Sequence, residues 1–137
     1  GLLMLRGRAR ERLIRQQFDR TAKYLLEIRD LLQEKNIPMI LVIYPHGIYV
    51  GKDEWSQGRL TWGFDPDKKY DDHFPFELVE EFAKANQIPF VNTLPDFLRA
   101  PEGDYFYEWD GHMRPAGYKL VAQSLARDPQ LLDAINR

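Results

Sequence analysis

Lys35-Asn36-Ile37-Pro38-Met39-Ile40-Leu41-Val42-Ile43-Tyr44-Pro45 is the stretch that decides the fold class. Asn36 is a natural helix stop, and Ile37-Pro38 resets the chain to an extended conformation. Met39 to Tyr44 is then a continuous apolar run of strand length, rich in β-branched residues. Such a run predicts a strand covered on both faces, as in a parallel sheet. The same grammar returns at Asn86-Gln87-Ile88-Pro89, followed by Phe90-Val91-Asn92-Thr93. Two helix-to-strand steps in succession predict an α/β protein with a parallel sheet and right-handed crossovers. The rhyme reads as shared loop chemistry, not as a repeat protein.

Upstream, Ala9 to Lys35 has a helical period: Ile14, Phe18, Thr21, Leu25, Ile28 and Leu32, widened by Leu13 and Leu31. Downstream, 46–74 has no clear period and is rich in aromatic residues and glycine, the pattern of a functional loop or lid. An amphipathic helix is expected over 75–86, with Leu78, Val79, Phe82 and Ala83 inward, then a strand over 90–93. A last helix begins at Pro115 and buries Leu120, Val121 and Leu125. A tail with Leu131, Leu132 and Ile135 packs behind it.

The chain has 137 residues, which suits one α/β domain spanning 1–137. Apolar residues make up 44% and charged residues 29%, so disorder and low complexity are excluded. No cysteine is present, so neither a disulfide nor a thiolate site is available. Nineteen basic against 21 acidic residues give a net charge of -2, and no nucleic-acid partner is expected. No run approaches the length of a membrane span. The apolar opening Gly1 to Leu5, followed by Arg6, Arg8, Arg10, Arg12 and Arg15, lacks signal-peptide order. The arginines read as a solvated helix face.

Chemistry concentrates in Asp110-Gly111-His112-Met113-Arg114-Pro115-Ala116-Gly117-Tyr118. Gly111 allows a sharp turn, so the Asp110 carboxylate can fold back on the His112 imidazole and fix its tautomer. That is the orienter-and-base half of a nucleophilic triad. The alternative is an ordinary Asp-Gly-His turn at a helix entrance.

The block DGHMRPAGYKLVA, from Asp110 to Ala122, resembles the last block of SGNH/GDSL-family hydrolases. The order of parts is similar as well: helix, the apolar strand MILVIYP, an insertion, helix, the short strand IPFVNT, then the Asp-His block. The family commonly separates Asp from His by two residues; here one intervenes, as in periplasmic polysaccharide O-acyl-modifying relatives. The resemblance implies a three-layer, flavodoxin-like parallel sheet and assigns Asp110 as orienter and His112 as general base. It also implies a Ser nucleophile in a Gly-Asp-Ser block near the family's N-terminus, with oxyanion-hole Gly and Asn. None of these is found, and only Ser56 and Ser124 are present, neither in a nucleophile motif. The expectation is therefore a C-terminal portion with N-terminal strands missing, or a reduced relative that lost catalysis. The implied parent is a lipase-like esterase or acyltransferase, placed in the periplasm, outside the cell or at a membrane.

Other candidates are weaker. His46 follows Pro45 at the strand edge where α/β sheets bind ligands. Trp55, Trp62 and Trp109, with neighbouring aromatics, offer flat faces for a sugar or acyl group, or else anchor the loop. Asp65, Asp67, Asp71, Asp72 and His73 form an acidic loop without the spacing of a calcium site, so no metal is expected, nor any other cofactor. Two functions remain. In the first, Asp110 and His112 serve acyl transfer from an ester or acylated-carbohydrate substrate, with His46, Trp55, Trp62 and Trp109 binding it. In the second, the aromatic loop 46–76 makes a non-catalytic module that binds a glycan or protein. An incomplete sheet also predicts self-association.

Overall fold

The computed structural model describes residues 7–101 and 103–135. The apolar opening Gly1 to Leu5, Arg6 and the Ile135 side chain lie outside the described residues. Helix α1 (Arg8–Glu34) leads into strand β1 (Leu41–Ile43), and short helices α2 (Gly47–Val50) and α3 (Ser56–Thr61) follow. Helix α4 (Phe74–Ala85) then leads into β2 (Phe90–Asn92), followed by α5 (Leu94–Arg99), α6 (Pro115–Arg127) and α7 (Pro129–Ile135). No helix among the described residues is long and apolar enough to cross a membrane.

The repeated loop grammar has a common physical basis. Asn36 adopts a left-handed φ of 55°; its amide donates to Gln33 O, and the Ile37 amide donates to Leu32 O. At the end of α4, Gln87 has φ 56°, its amide donates to Lys84 O, and Ile88 N donates to Ala83 O. Both are the same helix-ending motif, which satisfies the last carbonyls and ejects the chain toward a proline. Sequence reasoning placed the second stop at Asn86. The structure moves the left-handed residue to Gln87, leaving Asn86 Nδ2 to donate to Phe82 O at 2.8 Å.

The two strands pair in parallel, Leu41 with Phe90, Val42 with Val91 and Ile43 with Asn92. The expected strand over 39–44 is thus shorter, and its expected burial on both faces is not met: Val42 and Tyr44 are exposed and the other four residues half-buried, whereas Val91 on β2 is buried. Helix α4 covers the sheet through Phe76, Leu78 and Ala83, and α1 packs on α4 with Phe18 edge-on to Phe82 at 5.4 Å. Of the arginines expected on a solvated face, Arg8 and Arg12 are exposed, while Arg10 and Arg15 serve this packing. Arg10 pairs with Asp72, and Arg15 reaches Glu81 at 3.3 Å with its guanidinium over the Phe74 ring. At the outer edge of β2, Gln130 on α7 accepts the Phe90 amide at 3.3 Å, which blunts that edge.

One helix is added and the burial expected of another is adjusted. Leu94 to Arg99 forms α5, with Asn92 Oδ1 accepting the Leu94 amide at 3.0 Å and Phe97 buried. On α6, Gly117 and Ser124 are the fully buried residues, whereas Leu120, Val121 and Leu125 are half-buried. Gly117 is needed for contact: a methyl there would lie 2.7 Å from the Tyr105 carbonyl and 3.0 Å from Met113 Cβ. The site's scaffold is one core cluster of Ile48, Trp55, Phe97, Phe106 and Met113.

Candidate functional site

The 46–73 segment follows β1 directly and is folded inward rather than lying open. Its organiser is Arg59 on α3, with none of its surface exposed. Arg59 Nε donates to Glu54 O at 2.9 Å and Nη1 to Lys68 O at 2.7 Å; Nη2 donates to the Gly51 and Gly47 carbonyls. One guanidinium thus closes four turns of irregular backbone, a geometry that suits its planar fork of donors. Just before α3, Trp55 has a left-handed φ of 56°, and its indole occupies the space a Gly58 side chain would fill. A methyl at Gly58 would sit 1.8 Å from Trp55 Nε1.

The Asp-Gly-His block is the tip of a short hairpin. Phe106 and Met113 form an antiparallel bridge, Tyr107 N donates to His112 O at 3.0 Å, and Arg114 N donates to Tyr105 O at 2.7 Å. The hairpin is tied to the 46–73 segment at two places. The amides of Gln57 and Gly58, at the start of α3, donate to Glu108 O at 2.9 and 2.8 Å. The buried Glu54 carboxylate accepts the amides of Tyr105 at 3.0 Å and Phe106 at 2.9 Å.

At the tip, Asp110 Oδ1 accepts the His112 amide at 2.9 Å and lies 3.1 Å from His112 Nδ1. The His112 amide, then the ring contact, holds the Asp110 carboxyl below the usual aspartate value. This is the pairing a general base requires, with Nδ1–H donating to the carboxylate and Nε2 left to take a proton. His112 is 77% exposed, so Nε2 is accessible. Neither serine hydroxyl hydrogen-bonds this imidazole among the described residues; Ser124 is buried on α6 and donates to Leu120 O.

His46 lies beneath the same turn. A methyl at Gly111 would approach His46 Nε2 to 2.6 Å, so the turn and the second imidazole are in contact. The His46 ring stands edge-on to Trp55 at 4.2 Å. Its Nδ1 and Trp55 Nε1 are buried without a hydrogen-bond partner among the described residues. Burial, then the Arg59 charge, pushes the His46 pKa below 6.5. A neutral imidazole in the fold must stay neutral while the unfolded chain takes up a proton below that value. Stability is therefore complete above about pH 6.5 and declines as pH falls below it. His46→Gln is expected to flatten this decline, measured as urea midpoints at a series of pH values against the parent chain.

The tryptophans separate. Trp62 and Trp109 are 69% and 71% exposed, whereas Trp55 is buried in the core under His46 and offers no surface to a ligand. The expectation that Trp55 binds substrate is corrected accordingly: a left-handed backbone turns its ring inward. In the acidic loop Asp65 Oδ1 accepts Asp67 N and Asp72 Oδ1 accepts Phe74 N, while the other Asp72 oxygen pairs with Arg10 on α1. No cluster able to hold a metal occurs among the described residues. Sequence reasoning missed Glu54 and Arg59, which look in the sequence like any charged loop residues. The nearby Gly47, Gly51 and Gly58 were the available signal of close backbone approach.

No curated protein and no solved structure matches the chain. A family model described as the SGNH hydrolase-like domain of acetyltransferase AlgX matches residues 5–135. With an α/β framework and a carboxylate–imidazole pair at a hairpin tip, the chain belongs to this SGNH hydrolase-like family of O-acyl-modifying enzymes.

Proposed function

We propose that this chain supplies the Asp110–His112 pair of an SGNH-type O-acyl-modifying enzyme whose serine nucleophile lies outside the 137 residues. The contact of Asp110 Oδ1 with His112 Nδ1, at 3.1 Å, carries the proposal. His112 Nε2 removes the serine proton as the hydroxyl oxygen attacks the acyl carbonyl. The resulting imidazolium returns that proton to the departing alkoxide of the donor ester. In the second half, His112 deprotonates water or a sugar hydroxyl as its oxygen attacks the acyl-serine, and the imidazolium then returns the proton to the departing serine oxygen. An oxyanion hole, also from outside these residues, supplies the main stabilisation of the tetrahedral intermediates.

His46, beneath Gly111, and the exposed rings of Trp62 and Trp109 form the surface offered to the acyl donor or a carbohydrate acceptor. Flat aromatic faces suit the apolar faces of sugar rings. The two strands belong, in this proposal, to a larger three-layer parallel sheet. The exposed Val42 on β1 and Tyr24, Ile28 and Leu31 on α1 support both that extension and self-association.

Fluorophosphonate labelling with intact-mass detection tests the placement of the nucleophile. The expected result is no adduct on this chain, and a stoichiometric adduct once the serine-bearing segment is present. An adduct at Ser56 or Ser124 would overturn it.

A further inference from the structure

We propose that Glu54 is a positioning residue for the Asp110–His112 pair, acting through the two backbone amides that hold the base of its hairpin. The inference rests on the proposed role of that pair. Glu54 lies 51 residues before Tyr105 in sequence, yet its two oxygens accept the Tyr105 amide at 3.1 and 3.0 Å. One of them also accepts the Phe106 amide at 2.9 Å. These two residues start the strand that pairs with His112 and Arg114, through Tyr107 N to His112 O and Arg114 N to Tyr105 O. The backbone of Glu54 is itself fixed, because its carbonyl accepts Arg59 Nε at 2.9 Å. A chain of contacts therefore runs from a fully buried guanidinium to the strand that carries the imidazole.

One oxygen, Oε2, accepts both amides, and Oε1 shares the amide of Tyr105. A carboxylate offers acceptors alone, whereas a neutral amide or acid turns one donor against the amides. The group is buried in spite of the cost. Burial raises its pKa, and the hydrogen bonds from Tyr105 and Phe106 oppose that rise, as does the Arg114 charge; Asp104 adds to it. Taking the carboxylate away would leave two amides without their acceptor, so Glu54 stabilises the base of the hairpin as well. The charge has a use if the register of the hairpin matters, since small misplacements of a catalytic group are costly.

E54Q in the 137-residue chain separates the two roles. Loss of one charge-assisted acceptor is expected to speed amide exchange at Tyr107 and Arg114 about ten- to a hundredfold. The Asp110 carboxyl, followed by carbon-13 NMR, should then titrate closer to ordinary aspartate. The His112 ring should lose its single tautomer in nitrogen-15 spectra. E80Q, at an exposed glutamate on α4, should leave all three unchanged. A folded E54Q with unaltered exchange at Tyr107 and Arg114 and an unaltered Asp110 titration would overturn the proposal. If E54Q does not fold, E54D decides: it keeps the charge but is one methylene too short for both amides. Faster exchange in E54D supports positioning, and parental exchange overturns it. None of these readouts depends on turnover, so a failure of the catalytic reading would be seen separately.

Discussion

Replacing Arg59 with alanine is expected to destabilise the protein by about 3–5 kcal/mol and to melt the 46–73 segment first. The side chain has none of its surface exposed and donates to the carbonyls of Gly47, Gly51, Glu54 and Lys68. Two effects oppose each other. Removing a buried guanidinium relieves its desolvation, which is the main reason its pKa is lowered. Against this, each carbonyl left without a donor in the interior costs about 1–3 kcal/mol, and truncation leaves a cavity as well. Four acceptors outweigh one donor group, so destabilisation wins.

Total stability of a domain is about 5–15 kcal/mol, so the loss is a large fraction of it. Because the four carbonyls belong to residues 47–68 and not to α1, α4 or α6, most of the far-ultraviolet helical signal should survive. Trp55, in contrast, should lose its buried environment. Tryptophan emission that shifts red at a lower urea concentration than the helical signal would bear this out. Coincident transitions at the parental midpoint would refute it.

His112→Ala is expected to lower acyl-ester turnover about 10⁴-fold in the form of the polypeptide that carries the serine, with folding unchanged. The imidazole is 77% exposed and packs on little, so its removal disturbs no core. Asp110→Asn should cost much less, on the order of 10- to 100-fold. The Asp110 carboxylate lies in water, where its attraction for an imidazolium is heavily screened, and its remaining role is to hold the ring by a hydrogen bond. Equal losses in the two variants would mean that a closed, low-dielectric site forms around the pair in the complete enzyme. Unchanged turnover in His112→Ala would remove His112 from the mechanism.

The expected helix over 9–35 matches α1 within a residue at each end, and the helix over 75–86 matches α4 equally well. Both are long, periodic and ended by a left-handed residue before a proline, so local chemistry suffices. Burial was less legible. Leu120 and Val121 have the right spacing to face inward, but a close approach of α6 to the hairpin is made by Gly117, which has no side chain to show a pattern. The 46–74 segment was legible as a loop but not as a scaffold. Its aromatic residues divide between core and surface, with Trp55 inside and Trp62 outside, although both lie in similar sequence surroundings.

By itself the sequence determined the two αβ steps, the α/β class and the Asp110–His112 pair. Each depends on residues within a few positions of one another: a helix stop, a proline, a β-branched run, or a carboxylate two residues from an imidazole. Tertiary structure alone decided that Glu54 meets the amides of Tyr105 and Phe106, that Arg59 closes four carbonyls, and that His46 lies under Gly111. Carboxylates and guanidinium groups are solvated by default, and no local pattern marks the few that are buried. Their partners are mostly backbone groups, identical in every residue, and only the folded path of the chain selects which of these converge.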